Sequence, residues 1–128
     1  MNKKEFQVSG GDFNFLIGKK INKVIEKNSW GVDEYILVCD DCIITITTNE
    51  GCGGCGNGWS SIKDLKKLEG NSVITNVVCK YSESEWSDEF KLFIYYHDKT
   101  LEIEGDDGYG NGYYGGGFYV TIKDVEVK

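Results

Sequence analysis

The chain has no proline and no arginine, one histidine and one methionine among 128 residues. Without proline, tight turns fall to Gly, Asn and Asp, which tolerate positive φ, and 17 glycines are available. Without arginine, the bidentate fork that reads phosphate and guanine is missing, so direct nucleic-acid binding is not expected. No segment has the 7–15-residue apolar core of a signal peptide, and no run nears the roughly 20 residues of a membrane helix, so a cytoplasmic protein is expected. The lone histidine, His97, stands beside Asp98 in an expected hairpin turn, and no serine or cysteine has a recognisable histidine-partner motif. A non-enzymatic protein is the expectation.

What is present can fill a core: 40% of the residues are apolar and 13% aromatic, above the range of disordered chains. The length suits one domain, read here as residues 13–128 after a polar leader at 1–12. A net charge of −7 favours solubility and would suit a basic partner.

The chain echoes itself. "LIGKKINKV", "DEYILVCDDCIITIT" and "GCGNGW" are followed by "LEGNSVITNVV", "DEFKLFIYYHDKTLEIE" and "GYGNGY", at offsets drifting from 52 to 57. Leu16 and Gly18 match Leu68 and Gly70, Tyr35 matches Phe90, and Ile44 and Ile46 match Leu101 and Ile103. An internal duplication with repeats at 15–59 and 67–114 accounts for this. Each copy reads as three strands, the middle pair joined at Asp40-Asp41 in the first and at "HDK" in the second. "TLEIE" alternates Leu101 and Ile103 with Glu102 and Glu104, as a half-buried strand does. A last strand, "GFYVTIKDVEV", follows the second glycine loop.

The expected fold is mainly β: two three-stranded antiparallel meanders forming a small sandwich or a barrel. One short helix is expected near 61–68, capped by Ser60 or Ser61, with Ile62, Leu65 and Leu68 on one face and Gly70 ending it.

Two patterns could carry chemistry. Cys39-x2-Cys42 and Cys52-x2-Cys55 have the spacing of a four-thiolate zinc site. An extended strand between the pairs would hold Cys42 and Cys52 on the order of 25–30 Å apart, so the competing reading has Cys39 and Cys42 facing each other as small apolar residues. The paired "GNG" loops lack the lysine and helix context of phosphate loops, and tight reversal is their simplest reading. Aromatic residues crowd them, however, and Tyr and Trp on such loops offer large contact area at low entropic cost. The candidate binding residues are Trp59, Asp106, Asp107, Tyr109, Asn111, Tyr113 and Tyr114. The acidic run Glu102, Glu104, Asp106 and Asp107 is otherwise a solvated strand face, and "GDDGYGNG" lacks EF-hand spacing.

The order "LIGKKI", the "DEYILVCDD" hairpin, "LEGNSV" and "NGYYGG" resembles a family of small bacteriophage and prophage proteins. That family carries an L-I-G-K-x-I start, an acidic D-C-C motif, a second L-I-G-x-x-I and a C-terminal N-G-Y-Y. The resemblance covers about residues 15–120, but "GCGGC" stands where D-C-C would. The family has no established activity, so the resemblance implies a setting, a phage accessory protein in a bacterial cytoplasm. The expected role is a binding or inhibitor protein countering a bacterial defence system, with a host protein, for example a nucleic-acid-binding one, as partner. Alternatives are a protein that sequesters a nucleotide signal and a zinc-stabilised module. A monomer or homodimer is expected, with no cofactor unless zinc.

Overall fold

The computed structural model describes residues 3–8, 13–29, 32–48, 61–81, 89–106 and 118–125. In chain order the strands are β1 (Lys3–Val8), β2 (Ile21–Ser29), β3 (Val32–Cys39), β4 (Cys42–Thr48), β5 (Ser61–Ile62), β6 (Asn76–Tyr81), β7 (Glu89–Tyr95), β8 (Thr100–Asp106) and β9 (Phe118–Asp124). They form two antiparallel sheets, ordered β1-β9-β4-β3-β2 and β5-β8-β7-β6. The two expected meanders are β2-β3-β4 and β6-β7-β8, one in each sheet. Each sheet ends in strands without a second neighbour, so neither closes into a barrel.

Side-chain alternation builds the core. Tyr35, Leu37 and Cys39 of β3, Ile44 and Ile46 of β4, and Phe90, Leu92 and Ile94 of β7 turn inward at every second position and join one buried cluster drawn from both sheets. Full burial of each such aliphatic or aromatic side chain is worth about 1.5–3 kcal/mol before conformational entropy is charged. In β2 the buried residues Ile21 and Val24 are three apart, which simple alternation forbids. A shift of register between Ile21 and Lys23 returns both to the core face.

The helix expected near 61–68 does not form. Ser61 and Ile62 instead pair with Asp106 and Gly105 of β8, and Asp64 adopts φ 63°, in the left-handed region. Only a 3-10 turn, Leu65–Leu68, remains, burying Leu65 and Leu68. Two turns are too short to hold a helix against a competing sheet edge, and Asp is among the few residues that visit left-handed backbone readily. Within the polar stretch at 1–12, Lys3–Val8 is a strand running antiparallel along β9, from Lys3 opposite Lys123 to Val8 opposite Phe118.

Two similar turns brace the sheets reciprocally. A 3-10 turn, Asn14–Leu16, precedes Gly18 just as Leu65–Leu68 precedes Gly70, and both glycines have positive φ, 86° and 79°. Gly18 N–H donates to Ile74 O at 2.8 Å, while Gly70 N–H donates to Ile21 O at 3.0 Å. The second 3-10 turn packs on β2, the first on β6. Each copy therefore braces the opening strand of the other. On the β2 edge this bracing extends to side chains: Val24 N–H donates to Glu69 Oε2 at 2.8 Å and Lys66 Nζ to Val24 O at 3.1 Å. These groups satisfy edge backbone that would otherwise invite another strand.

Candidate functional site

The two glycine-rich segments leave and re-enter the described framework at matched points. Segment 49–60 runs from the end of β4 in one sheet to β5 in the other, and segment 107–117 runs from the end of β8 back to β9. Thr48 lies opposite Phe118 and Gly105 opposite Ile62. Since Ile46 corresponds to Ile103, Thr48 corresponds to Gly105, and the two root pairs are equivalents. The segments thus join the same two points in opposite directions, at one end of the molecule.

These roots are held from beneath by contacts that also repeat. Tyr35 Oη donates to Ile62 O at 2.8 Å within the core, and its counterpart Phe90 packs edge-on against Phe118 with ring centroids 6.3 Å apart. Phe13 closes the cluster against both Phe90 and Phe118. Phe118 is fully buried, so it anchors the second segment rather than presenting a contact surface. The exposed aromatics at this end among the described residues are Tyr81, beside Phe90, and Tyr119, between Gln7 and Thr47. Tyr81 was missed by sequence reading because it ends an otherwise ordinary strand, while Tyr119 is signalled by its place just after the glycine-rich segment.

Of the sequence-derived binding residues, Asp106 lies in β8, opposite Ser61 and Glu89. Trp59, Asp107, Tyr109, Asn111, Tyr113 and Tyr114 lie outside the described residues, as do Cys52 and Cys55. His97 is an exposed residue of the β7–β8 turn, and Glu102 and Glu104 point outward around buried Ile103.

Cys39 and Cys42 close the β3–β4 hairpin at the other end of the molecule. Val38 pairs with Ile43, which sets the two cysteines opposite each other across Asp40-Asp41, and both are buried. Burial is the main force pushing the Cys39 thiol up to about 12, with the neighbouring Cys42 adding to it and Lys19 opposing. Burial likewise raises Cys42, against the pull of Lys19. Both are therefore neutral thiols at physiological pH. Among the described residues no group of three or more His, Cys, Asp and Glu could hold a metal ion. Strand β4 also separates Cys42 from Thr48, the root of the segment bearing Cys52 and Cys55, by about 20 Å at 3.3 Å per residue.

Next to the cysteine hairpin is a groove that sequence reading did not find. It has a volume of about 760 Å³ and is built from β1 (Lys3, Lys4, Phe6), the first 3-10 element and the turn after it (Phe15, Lys19) and the end of β9 (Ile122, Asp124). Phe6 and Phe15 meet edge-to-face at 5.7 Å. Val125 N–H donates to Asp41 O at 3.0 Å, pinning the end of β9 to the hairpin turn. The residues are scattered from 3 to 124 and converge only because β1 pairs with β9, so no local motif announces them.

No helix among the described residues is long and apolar enough to cross a membrane. No protein-family model matches the chain, and no curated protein or solved structure matches it either.

Proposed function

We propose that the protein is a non-enzymatic binding protein of phage type, which engages a basic bacterial protein through the end carrying the two glycine-rich segments. The observation that carries this reading is the reciprocal pairing of the segment roots. Both segments spring from one end of a braced two-sheet frame, and that arrangement suits presentation of aromatic-rich segments from a rigid scaffold. Exposed Tyr81 and Tyr119 at the same end extend the apolar contact area, and tyrosines are favoured at interfaces. The net charge of −7 would steer a basic partner. The resemblance to phage and prophage proteins supplies the setting, in which the partner is a component of bacterial defence.

The test is capture from bacterial lysate by the intact chain, by Tyr81→Ala/Tyr119→Ala and by Tyr113→Ala/Tyr114→Ala, with each captured protein identified and the capture repeated across a salt series. Capture of one basic protein, weakened at least about tenfold by both double variants and by rising salt, is expected. Capture unchanged by both double variants would remove the loop end as the binding surface; capture indifferent to salt would remove the acidic steering.

A further inference from the structure

The groove beside the cysteine hairpin is set apart from the loop end by the length of β4 and β9, and its chemistry differs. Its floor and walls are the Phe6 and Phe15 rings and Ile122, all half-buried, while Lys3, Lys4 and Lys19 stand around it. Three lysines line it beside Asp124, and with Glu5 and Asp41 paired to Lys3 and Lys19 the charges nearly balance, a local neutrality on a protein of net −7 that leaves Lys4 as the cation without an ion-pair partner among the described residues.

The lysines are not consumed by the fold. Lys3 reaches Glu5 at 3.0 Å, but both side chains are more than half exposed, and such pairs contribute little. Lys19 sits 3.8 Å from Asp41 Oδ2, at the long limit of an ion pair, with its own side chain only 24% exposed. Lys4 has no ion-pair partner among the described residues. A partly buried ammonium with a loose partner and a neighbouring unpaired one can bind an anion more strongly than freely solvated lysines can. Two aromatic faces beside them provide a surface for a planar ring. The groove's volume falls in the range of small-molecule sites, about 300–1,000 Å³.

We propose that this groove binds a phosphorylated aromatic small molecule of the nucleoside monophosphate class. The phosphate is held by Lys4 and Lys19, and the ring lies against Phe6 and Phe15. Asp124 sets the polarity of the site, repelling phosphate from the β9 side and offering an acceptor to an amino group on the ring. The site requires no arginine, because it recognises the anion by point charges rather than by a bidentate fork. It is independent of the loop end, so either can fail without the other.

The experiment is amide NMR titration of the full chain with adenosine monophosphate, with inorganic phosphate and with adenosine as separate arms. The expected result is a saturable movement of the Phe6, Phe15, Lys19 and Ile122 signals with the nucleotide, and at least about tenfold weaker binding of each fragment. Lys4 is exposed on an edge strand, so Lys4→Glu keeps the folded spectrum and weakens the nucleotide at least about tenfold; Lys19→Gln is the second variant. Absence of saturable movement at millimolar nucleotide would overturn the proposal, as would binding unchanged in both variants. Phosphate alone binding as tightly as the nucleotide would overturn the aromatic part.

Discussion

Gly18 and Gly70 offer the sharpest test of the duplicated architecture. Each follows a residue in nearly the same extended conformation, Ile17 at φ −63°, ψ 131° and Glu69 at φ −67°, ψ 131°. Each then turns to positive φ, 86° and 79°, and donates its N–H to an isoleucine carbonyl of the opposite copy. A Cβ added at either glycine would meet nothing within 4 Å. The cost of Gly18→Ala or Gly70→Ala is therefore conformational and not steric. Holding an L-residue in left-handed backbone costs about 1–2 kcal/mol. Stiffening the unfolded chain offsets about 0.4–1 kcal/mol of that, leaving a net loss of about 1 kcal/mol at each site. Asn at either position should lose less, because it tolerates this region better. In urea unfolding, with m of about 1–3 kcal/mol/M, each Ala variant should move the midpoint down by about 0.3–1 M at unchanged m. The two losses should agree within about 0.5 kcal/mol, near the limit expected of equivalent sites. An Ala variant as stable as the parent, or one site costing several times the other, would refute the reading of these turns as equivalent.

The two buried tyrosines among the described residues should respond unequally to loss of their hydroxyls. Lys63 N–H donates to Glu104 O, so the alternating antiparallel pattern turns the Ile62 carbonyl away from β8, where it accepts from Tyr35 Oη. Tyr35→Phe orphans that carbonyl and should cost about 1–3 kcal/mol, read as a fall of several degrees in Tm. Tyr96 Oη is buried and makes only a loose contact with the Asn71 side chain, outside good hydrogen-bond geometry, so Tyr96→Phe should shift Tm much less than Tyr35→Phe; an equal fall would show that the hydroxyl is firmly bonded. The Cys39 thiol, pushed by burial from its ordinary value near 9.0 up to about 12, binds its proton more tightly in the folded state. Its contribution is complete below pH 9 and lost as pH rises toward 12, so Cys39→Ala should flatten the alkaline decline by up to about 1.4 kcal/mol per pH unit. Equal declines in parent and variant would contradict this. Elemental analysis of the purified protein should find no stoichiometric zinc, since β4 extends between the first cysteine pair and the root of the second; one zinc per chain would show that segment 49–60 folds back along the strand.

The strands of both meanders were legible because their signals are local. "EYILVC", "IITIT" and "EFKLFIY" alternate inward and outward side chains at the strand period, and the same alternation appears in the burial of β3, β4 and β7. The matched turns were legible too, through Leu16-x-Gly18 and Leu68-x-Gly70, because glycine adopts their positive-φ backbone at least cost. The opposed cysteines of the hairpin follow from a two-residue turn. For the candidate binding residues, legibility stops at the roots: Asp106 is the one that lies in the described framework.

What only the tertiary structure decided is where each segment finds a partner for its backbone. Residues 61–68 carry a fair helical pattern, yet the free edge of β8 claims Ser61 and Ile62, and a helix this short has too little cooperativity to compete. "KKEFQV" places only Phe6 and Val8 on one apolar face, too short a pattern to mark a strand by itself, and it becomes one because β9 offers an open edge beside it. The strand exchange between copies, the paired roots of the glycine segments and the lysine-phenylalanine groove all arise from those long-range pairings. Local side-chain periodicity sets which face of a strand is buried; it holds no information about which distant edge is left unpaired, and that edge placed β1, β5 and β9.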